Sequence, residues 1–189
     1  MNSANPGLDS SSPASALGRR LLGLLLAASL IALAGAFVLE SHFGIVGCVL
    51  CVYQRVPFAV AAICAAAGIA VGRSAALQRL ALILCGIAFV VGTGLAFYQV
   101  GLQQRWWMDA GVCTGSAPIA SSAFDLRAAV LSEAGRPPCD QVDWTLFGVS
   151  LAAWNAAVSL GLALLCTVGL VLTVTRRPPE SERNGTDVV

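Results

Sequence analysis

The sequence predicts an all-α membrane protein: a bundle of four transmembrane helices, with both termini in the cytoplasm and one long loop on the outer side. Charged residues make up only 11% of the chain and hydrophobic residues 57%, whereas soluble domains carry about 25% charged residues. The apolar residues lie in four uncharged blocks, which is the pattern of spanning helices. Arginines flank one set of block ends, which indicates the orientation.

Each block approaches or exceeds the roughly 20 residues that a spanning helix needs. The blocks cover residues 21–39, 56–72, 80–102 and 144–175. They predict a membrane domain over 19–175, with transmembrane helices at about 20–39, 51–72, 79–101 and 145–175. The fourth block is longer than a bilayer requires, so it should project at one end or begin as an interfacial turn. The first block could instead be a signal peptide, but it exceeds the usual apolar core of about 7–15 residues, which favours a retained helix.

Arginine alone indicates the orientation, because the chain contains no lysine. Six arginines flank one set of helix ends: Arg19, Arg20, Arg73, Arg79, Arg176 and Arg177. The positive-inside rule places these ends in the cytoplasm. Residues 1–18 and 176–189 then form disordered cytoplasmic tails, and the loops at about 40–50 and 102–144 face outward. No basic patch suggests binding to nucleic acid.

The seven cysteines divide into two groups. Three of them, Cys64, Cys85 and Cys166, fall inside predicted spans, where a buried cysteine usually acts as a small apolar side chain. The other four lie on or near the outer face. Two open the second helix as a CxxC pair, and two lie in the long loop: Cys48, Cys51, Cys113 and Cys139.

The outer cysteines are open to three interpretations. They could form two structural disulfides in a compartment that permits them, or all four could bind one zinc ion, although a single CxxC makes zinc the weaker interpretation. The third is dithiol–disulfide exchange. A CxxC closes a small, labile disulfide ring, and the unpaired amides of a helix N-terminus favour a thiolate at the second cysteine.

Arg55 adds a charge next to the CxxC. It follows Cys51 by four residues and therefore shares its helical face. The guanidinium could stabilise the Cys51 thiolate or bind negative charge on a reduced acceptor. Alternatively, it could extend to the lipid headgroups. An arginine at the membrane edge is unfavourable unless a partner offsets its charge.

The long loop contains one segment that favours a helix, at about 119–134. Ile119, Leu126 and Val130 share one face, with charged residues opposite. Such a helix could lie on the membrane surface or pack against its own protein.

At these positions the chain resembles the bacterial disulfide-bond formation protein B family (DsbB), inner-membrane thiol:quinone oxidoreductases. "CVLCVYQR" at 48–55 resembles the family's CxxCxxxR signature. The resemblance continues through "YQVGLQQRWW" at 98–107, Cys113, "PPCDQVDW" at 137–144 and "LFGVSLAAWN" at 146–155. It covers residues 20–175 and implies a four-helix bundle in the bacterial inner membrane, with the long loop in the periplasm.

The resemblance also implies a route for electrons. A periplasmic thioredoxin-fold thiol oxidase (DsbA-like) would reduce a Cys113–Cys139 disulfide, with Cys113 as the site of the mixed disulfide. Electrons would then pass to Cys48–Cys51, through a transient Cys48–Cys139 bridge, and on to ubiquinone or menaquinone. No metal is implied.

The resemblance implies quinone contacts at Cys51, Arg55 and the position of Gln99. Gln54 is a further candidate for the quinone site, or it could simply face the membrane interface. Many family members have histidine where this chain has Gln99, so a neutral amide would replace it as hydrogen-bond donor. Asn155, by contrast, is expected to form hydrogen bonds between helices rather than to bind a ligand.

Three other functions compete with this one. They are a four-span structural protein whose loop is held by disulfides, an oxidoreductase with one dedicated client, and an enzyme resembling vitamin K epoxide reductase. The last family usually has its CxxC after the large loop, which argues against it.

Overall fold

The structure, a computed structural model, describes residues 13–44, 47–71, 74–108, 138–142 and 144–175. In chain order the elements are α1 (Pro13–Phe43), α2 (Val49–Tyr53), α3 (Arg55–Ala70), α4 (Ala75–Gln103), β1 (Thr145–Leu146), β2 (Val149–Ser150) and α5 (Leu151–Thr175). Within these ranges, four segments are long and apolar enough to cross a membrane: Ala16–Phe43, Val49–Ala70, Ala75–Gln103 and Leu151–Thr175. The predicted four spanning helices are therefore confirmed.

The second span consists of two helices joined at Gln54. Pro57 has no N–H to donate to the carbonyl of Tyr53, and its ring crowds that carbonyl. Gln54 nevertheless keeps right-handed helical angles, with φ −67° and ψ −17°, so α2 and α3 form one span. The turn leaves the Gln54 side chain 5% exposed, inside the bundle and one turn beyond the cysteine pair.

Two predicted boundaries differ from the structure. Helix α1 begins at Pro13, so residues 13–18 are helical and do not belong to a disordered tail; proline suits the first helical position, where no N–H is needed. Helix α5 begins at Leu151 and not at residue 145, because an antiparallel hairpin occupies Thr145–Ser150. Its two turn residues, Phe147 and Gly148, both have positive φ, at 55° and 78°, as a type I′ turn requires. The hairpin thus occupies the start of the fourth block, and its location at the membrane interface stays a prediction.

Large apolar side chains cover the outside of the bundle. Ile31, Phe37 and Ile63 are about two-thirds exposed or more, at 72%, 69% and 69%. A soluble protein rarely exposes so continuous an apolar surface, whereas lipid tails solvate it. Together with the four apolar helices, this surface describes a multi-pass membrane protein.

The inside of the bundle is built on α4, which packs against both α3 and α5, while α1 packs mainly against α3. Phe58 and Phe89 meet edge to face, with ring centroids 5.7 Å apart. Cys85 and Cys166 lie in the same buried cluster, and the Cys85 thiol donates to the Ala61 carbonyl at 3.4 Å. These two cysteines therefore pack as small core side chains, as predicted.

Gly68 lets α3 approach α4 and α1 closely. A Cβ added there would lie 2.6 Å from the Cβ of Ala81 and 2.9 Å from Leu22 Cδ1, both too close for carbon atoms. We therefore expect Gly68→Ala to destabilise the protein by about 1–3 kcal/mol, because helices must separate to admit the methyl group. The measurement is the thermal unfolding midpoint in detergent.

Gly161→Ala is the matched control. Nothing lies within 4 Å of a Cβ added at that position in α5, and alanine is favoured over glycine inside a helix. This variant should be as stable as the original protein or slightly more so. Equal destabilisation by both substitutions would contradict the close approach at Gly68.

The two ends of the bundle differ in chemistry. At one end, Arg79 Nη2 donates to the Thr173 carbonyl at 2.8 Å, which joins the start of α4 to the last turn of α5. The opposite end holds the CxxC, at the start of α2.

Predictions that lie outside the described residues concern Cys113, the loop helix at 119–134, Arg73, Arg176, Arg177 and the tail 176–189.

Candidate functional site: a dithiol beside a cavity

Cys48 and Cys51 form a dithiol at the start of α2. Cys48 is the N-cap residue, and its Sγ accepts from the backbone N–H of Cys51 at 3.4 Å. The Cys48 thiol donates to Cys51 Sγ across 2.9 Å. Because side chains three residues apart share a helical face, the CxxC spacing brings both sulfurs together, within reach of disulfide closure.

The two cysteines are not equivalent. Cys48 is almost fully buried, at 1% exposure, whereas Cys51 is half-buried. The hydrogen bond that Cys48 donates to Cys51, together with burial, raises the pKa of Cys48 far above that of an ordinary thiol. Cys51, the acceptor of that bond, is the sulfur of the pair that lines the cavity described below.

Gln99 reaches the pair from α4. Its Nε2 donates to the sulfurs of Cys48 and Cys51, each at 3.3 Å. Its Oε1 accepts from Gln54 Nε2 at 2.6 Å. Gln99 itself is only 3% exposed, so its amide is held mainly by these protein partners.

Asn155 extends this network to α5. Its Nδ2 donates to Gln54 Oε1, which links α5 to the turn between α2 and α3. The expected hydrogen bond of Asn155 between helices is therefore present, and its partner, Gln54, is one of the candidates for the quinone site.

Arg55 forms an ion pair that the sequence analysis missed. Its Nη1 lies 2.7 Å from Glu40 Oε2, and the two side chains are 31% and 41% exposed. Glu40 ends the first uncharged block, and α1 continues past it to Phe43. The sequence did contain a signal for this ion pair. An acidic residue follows one apolar block and a basic residue precedes the next, and consecutive antiparallel helices bring those two ends together.

The guanidinium nevertheless stays close to the cysteine pair. A Cβ added at Gly47 would lie 3.3 Å from Cys51 Cβ and 3.4 Å from Arg55 Nη2. Both side chains therefore flank the same glycine. Arg55 thus hydrogen-bonds to Glu40 and also lies beside Cys51.

A cavity of about 350 Å³ opens beside the dithiol. Its polar lining includes the residues described above, Cys51, Gln54, Arg55, Gln99 and Asn155, together with Gln103 and Gln141. Apolar side chains of three helices cover much of the remainder, among them Leu39, Phe58 and Val158. A cavity with one reactive polar end and an apolar body suits a flat, lipid-soluble molecule whose polar groups point at the thiols.

Cys139 lies next to the pair. It is disulfide-bonded and 1% exposed, and it packs in one small buried cluster with Cys48, Leu50 and Leu102. The structure thus brings together three of the four predicted redox cysteines, while Cys113 lies outside the described residues. A disulfide beside a dithiol is the arrangement that thiol–disulfide exchange requires.

The comparison with known families agrees with this site. A family model for the disulfide bond formation protein DsbB matches residues 18–169. The chain belongs to the DsbB family. Membership assigns the protein to disulfide bond formation, and the family name indicates a disulfide-forming oxidoreductase.

Similar proteins named Disulfide bond formation protein B support the same assignment. The DsbB relative from Xanthomonas axonopodis pv. citri is 33% identical over 148 residues, which cover 76% of this chain and 84% of the relative. The relative from Acinetobacter baumannii is 32% identical over 151 residues, or 78% and 88% of the two chains. No solved structure matches the chain.

Proposed function

We propose that this DsbB-family protein is a thiol:quinone oxidoreductase that reoxidises a periplasmic, DsbA-like dithiol oxidase. Electrons enter at Cys113–Cys139, pass to Cys48–Cys51 and leave to ubiquinone or menaquinone. The observation that supports this proposal best is the cavity beside Cys51. In it, a thiol of the pair faces an apolar space between helices that are long and apolar enough to span a membrane.

The residues around the cavity fit a quinone. A quinone has a flat apolar ring and two carbonyl oxygens, so it needs an apolar slot with hydrogen-bond donors at one end. Gln54 and Gln99 present side-chain amides there, and Arg55 presents a guanidinium. Leu39 and Phe58 supply apolar walls. A bound quinone would supply an acceptor for two electrons and two protons.

The electron balance closes in three exchanges. The reduced partner loses two electrons to the loop disulfide, which opens to two thiols. Those thiols reduce the Cys48–Cys51 disulfide by exchange, and the packing of Cys139 against Cys48 supports a bridge between these two. Cys51 then delivers the electron pair to the acceptor, and the net products are an oxidised partner and a quinol.

The strength of the partner as an oxidant explains why a respiratory acceptor is needed. A DsbA-like oxidase has a reduction potential of about −120 mV, and each 30 mV is worth about 1.4 kcal/mol in a two-electron couple. Reoxidation of such a protein requires a still stronger acceptor, which a membrane quinone pool provides.

The proposed orientation puts the dithiol end in the periplasm and both termini in the cytoplasm of a bacterial inner-membrane protein. Arg79 and the exposed pair Arg19 and Arg20 lie at the opposite end of the helices, and the positive-inside rule supports the cytoplasm for that end.

The test is a coupled assay in detergent. The purified protein is mixed with a reduced thioredoxin-fold thiol oxidase and a short-chain ubiquinone or menaquinone, and quinone absorbance is followed. We expect one quinone consumed for each partner disulfide formed, and no consumption when the reduced partner is omitted. Absence of quinone reduction, with Cys48–Cys51 resistant to reduction by the partner, would favour a structural membrane protein.

A further inference from the structure

A directed chain of hydrogen bonds ends on the dithiol. Asn155 Nδ2 donates to Gln54 Oε1, and Gln54 Nε2 donates to Gln99 Oε1 at 2.6 Å. Gln99 Nε2 then donates to Cys51 and Cys48 at 3.3 Å each. We use the name amide relay for Asn155, Gln54 and Gln99 together.

The relay has a direction because each amide has a donor end and an acceptor end. A donor at Asn155 meets the oxygen of Gln54, so the nitrogen of Gln54 turns toward Gln99. That nitrogen meets the oxygen of Gln99, so the nitrogen of Gln99 turns toward the sulfurs. Reversal of the first bond would reverse the other two and aim the oxygen of Gln99 at the thiols.

We propose that Asn155 and Gln54 are positioning residues that keep the donor end of Gln99 on Cys51 and thereby stabilise its thiolate. Their importance for turnover rests on the proposed function, whereas their effect on the thiol does not. The relay is a property of this chain's own side chains, three neutral amides from α5, α4 and the turn between α2 and α3.

Burial gives the relay its strength. Gln54 and Gln99 are 5% and 3% exposed, so water does not readily replace a lost donor. Hydrogen bonds to an ionised group are stronger than neutral ones, and more so where the dielectric is low. In the dithiol, the Cys51 thiol also donates weakly to Gln99 Oε1, with Sγ and Oε1 3.7 Å apart. When Cys51 ionises, it loses this proton, and the N–H···S bond from Gln99 Nε2 remains.

The first test is the alkylation rate of Cys51 in Asn155→Leu. Leucine has a similar volume but donates nothing, so Gln54 loses the bond that orients it. In reduced, quinone-free protein at neutral pH, we expect iodoacetamide to modify Cys51 about tenfold more slowly, as loss of one hydrogen bond to a charged group implies. Mass spectrometry of the Cys51 peptide gives the rate.

Asn155→Asp supplies a signature that altered packing would not produce. Its carboxyl group can donate to Gln54 when protonated but only accepts when ionised. The alkylation rate relative to the original protein should therefore fall as pH rises and the carboxyl ionises. The titratable or charged groups placed against Cys51 or its neighbours include Cys48 and Tyr98 in the same cluster, Arg55 in the cavity lining and Glu40 on Arg55. All of them are unchanged in these variants.

Ser159→Ala is the control on the same helix. Ser159 lies one turn beyond Asn155, is fully buried and lies outside the relay, so its variant should alkylate at the original rate. An original rate in Asn155→Leu, equal slowing by Ser159→Ala, or a pH-independent ratio in Asn155→Asp would overturn the proposal. Alkylation needs neither quinone nor partner, so a failed coupled assay with a positive alkylation result would refute the proposed function alone.

Discussion

Replacement of Cys51 by serine should abolish quinone reduction while the protein remains folded. Cys51 is the half-buried sulfur that lines the cavity, and it accepts hydrogen bonds from Cys48 and Gln99. A serine hydroxyl ionises too weakly to act as the nucleophile and cannot close a disulfide. Loss of an enzyme's nucleophile commonly costs several orders of magnitude, so the rate in the coupled assay should fall by more than about a thousandfold.

Cys64→Ser is the matched control for this prediction. Cys64 lies in α3 and packs against the core of the bundle, away from the cavity lining. Serine differs by one atom and can donate to a helix carbonyl, so this variant should keep most of its activity. Comparable losses in both variants, or a Cys51→Ser variant that still reduces quinone, would contradict the assignment of the acceptor-facing thiol.

The sequence was sufficient to predict those features of the protein that depend on composition and on short spacings between residues. Block lengths predicted four spans, and CxxC spacing placed Cys48 and Cys51 together. It did not find the Glu40–Arg55 ion pair, because that pair requires α1 to continue beyond its apolar block. Nor did it find the hairpin before α5, which depends on positive φ at Phe147 and Gly148.

Asn155 shows a different kind of limit. Its type and place in a span predicted a hydrogen bond between helices, but not the partner. The partner depends on how far α5 is rotated about its axis and on its register against α4 and α3. Those quantities follow from the summed packing of many small side chains, such as Gly92 against Pro57 and Ser159, and no local pattern encodes them. The direction of the amide relay therefore depends on the three-dimensional packing of the helices and not on a local sequence pattern.

Replacement of Arg55 by methionine should weaken quinone binding and leave the fold intact. Methionine keeps an unbranched stem and removes the charge. The lost contact is a charge-assisted hydrogen bond to the acceptor, worth about tenfold or more in affinity, so KM for quinone should rise by about that factor. Stability should change little, because an ion pair as exposed as Arg55–Glu40 contributes at most roughly 1 kcal/mol.

Glu40→Gln distinguishes two possible roles of Arg55, which are to join two helices through Glu40 and to bind the electron acceptor. If Arg55 serves only to join α1 to α3 through Glu40, either substitution breaks the same pair and both should shift KM alike. If Arg55 binds the acceptor, Glu40 competes for its guanidinium, and Glu40→Gln should leave KM unchanged or lower it. The double variant should then behave like Arg55→Met alone, since Glu40 would act only through Arg55. A rise in KM in Glu40→Gln equal to that in Arg55→Met would refute binding by Arg55 and identify the pair as a brace between helices.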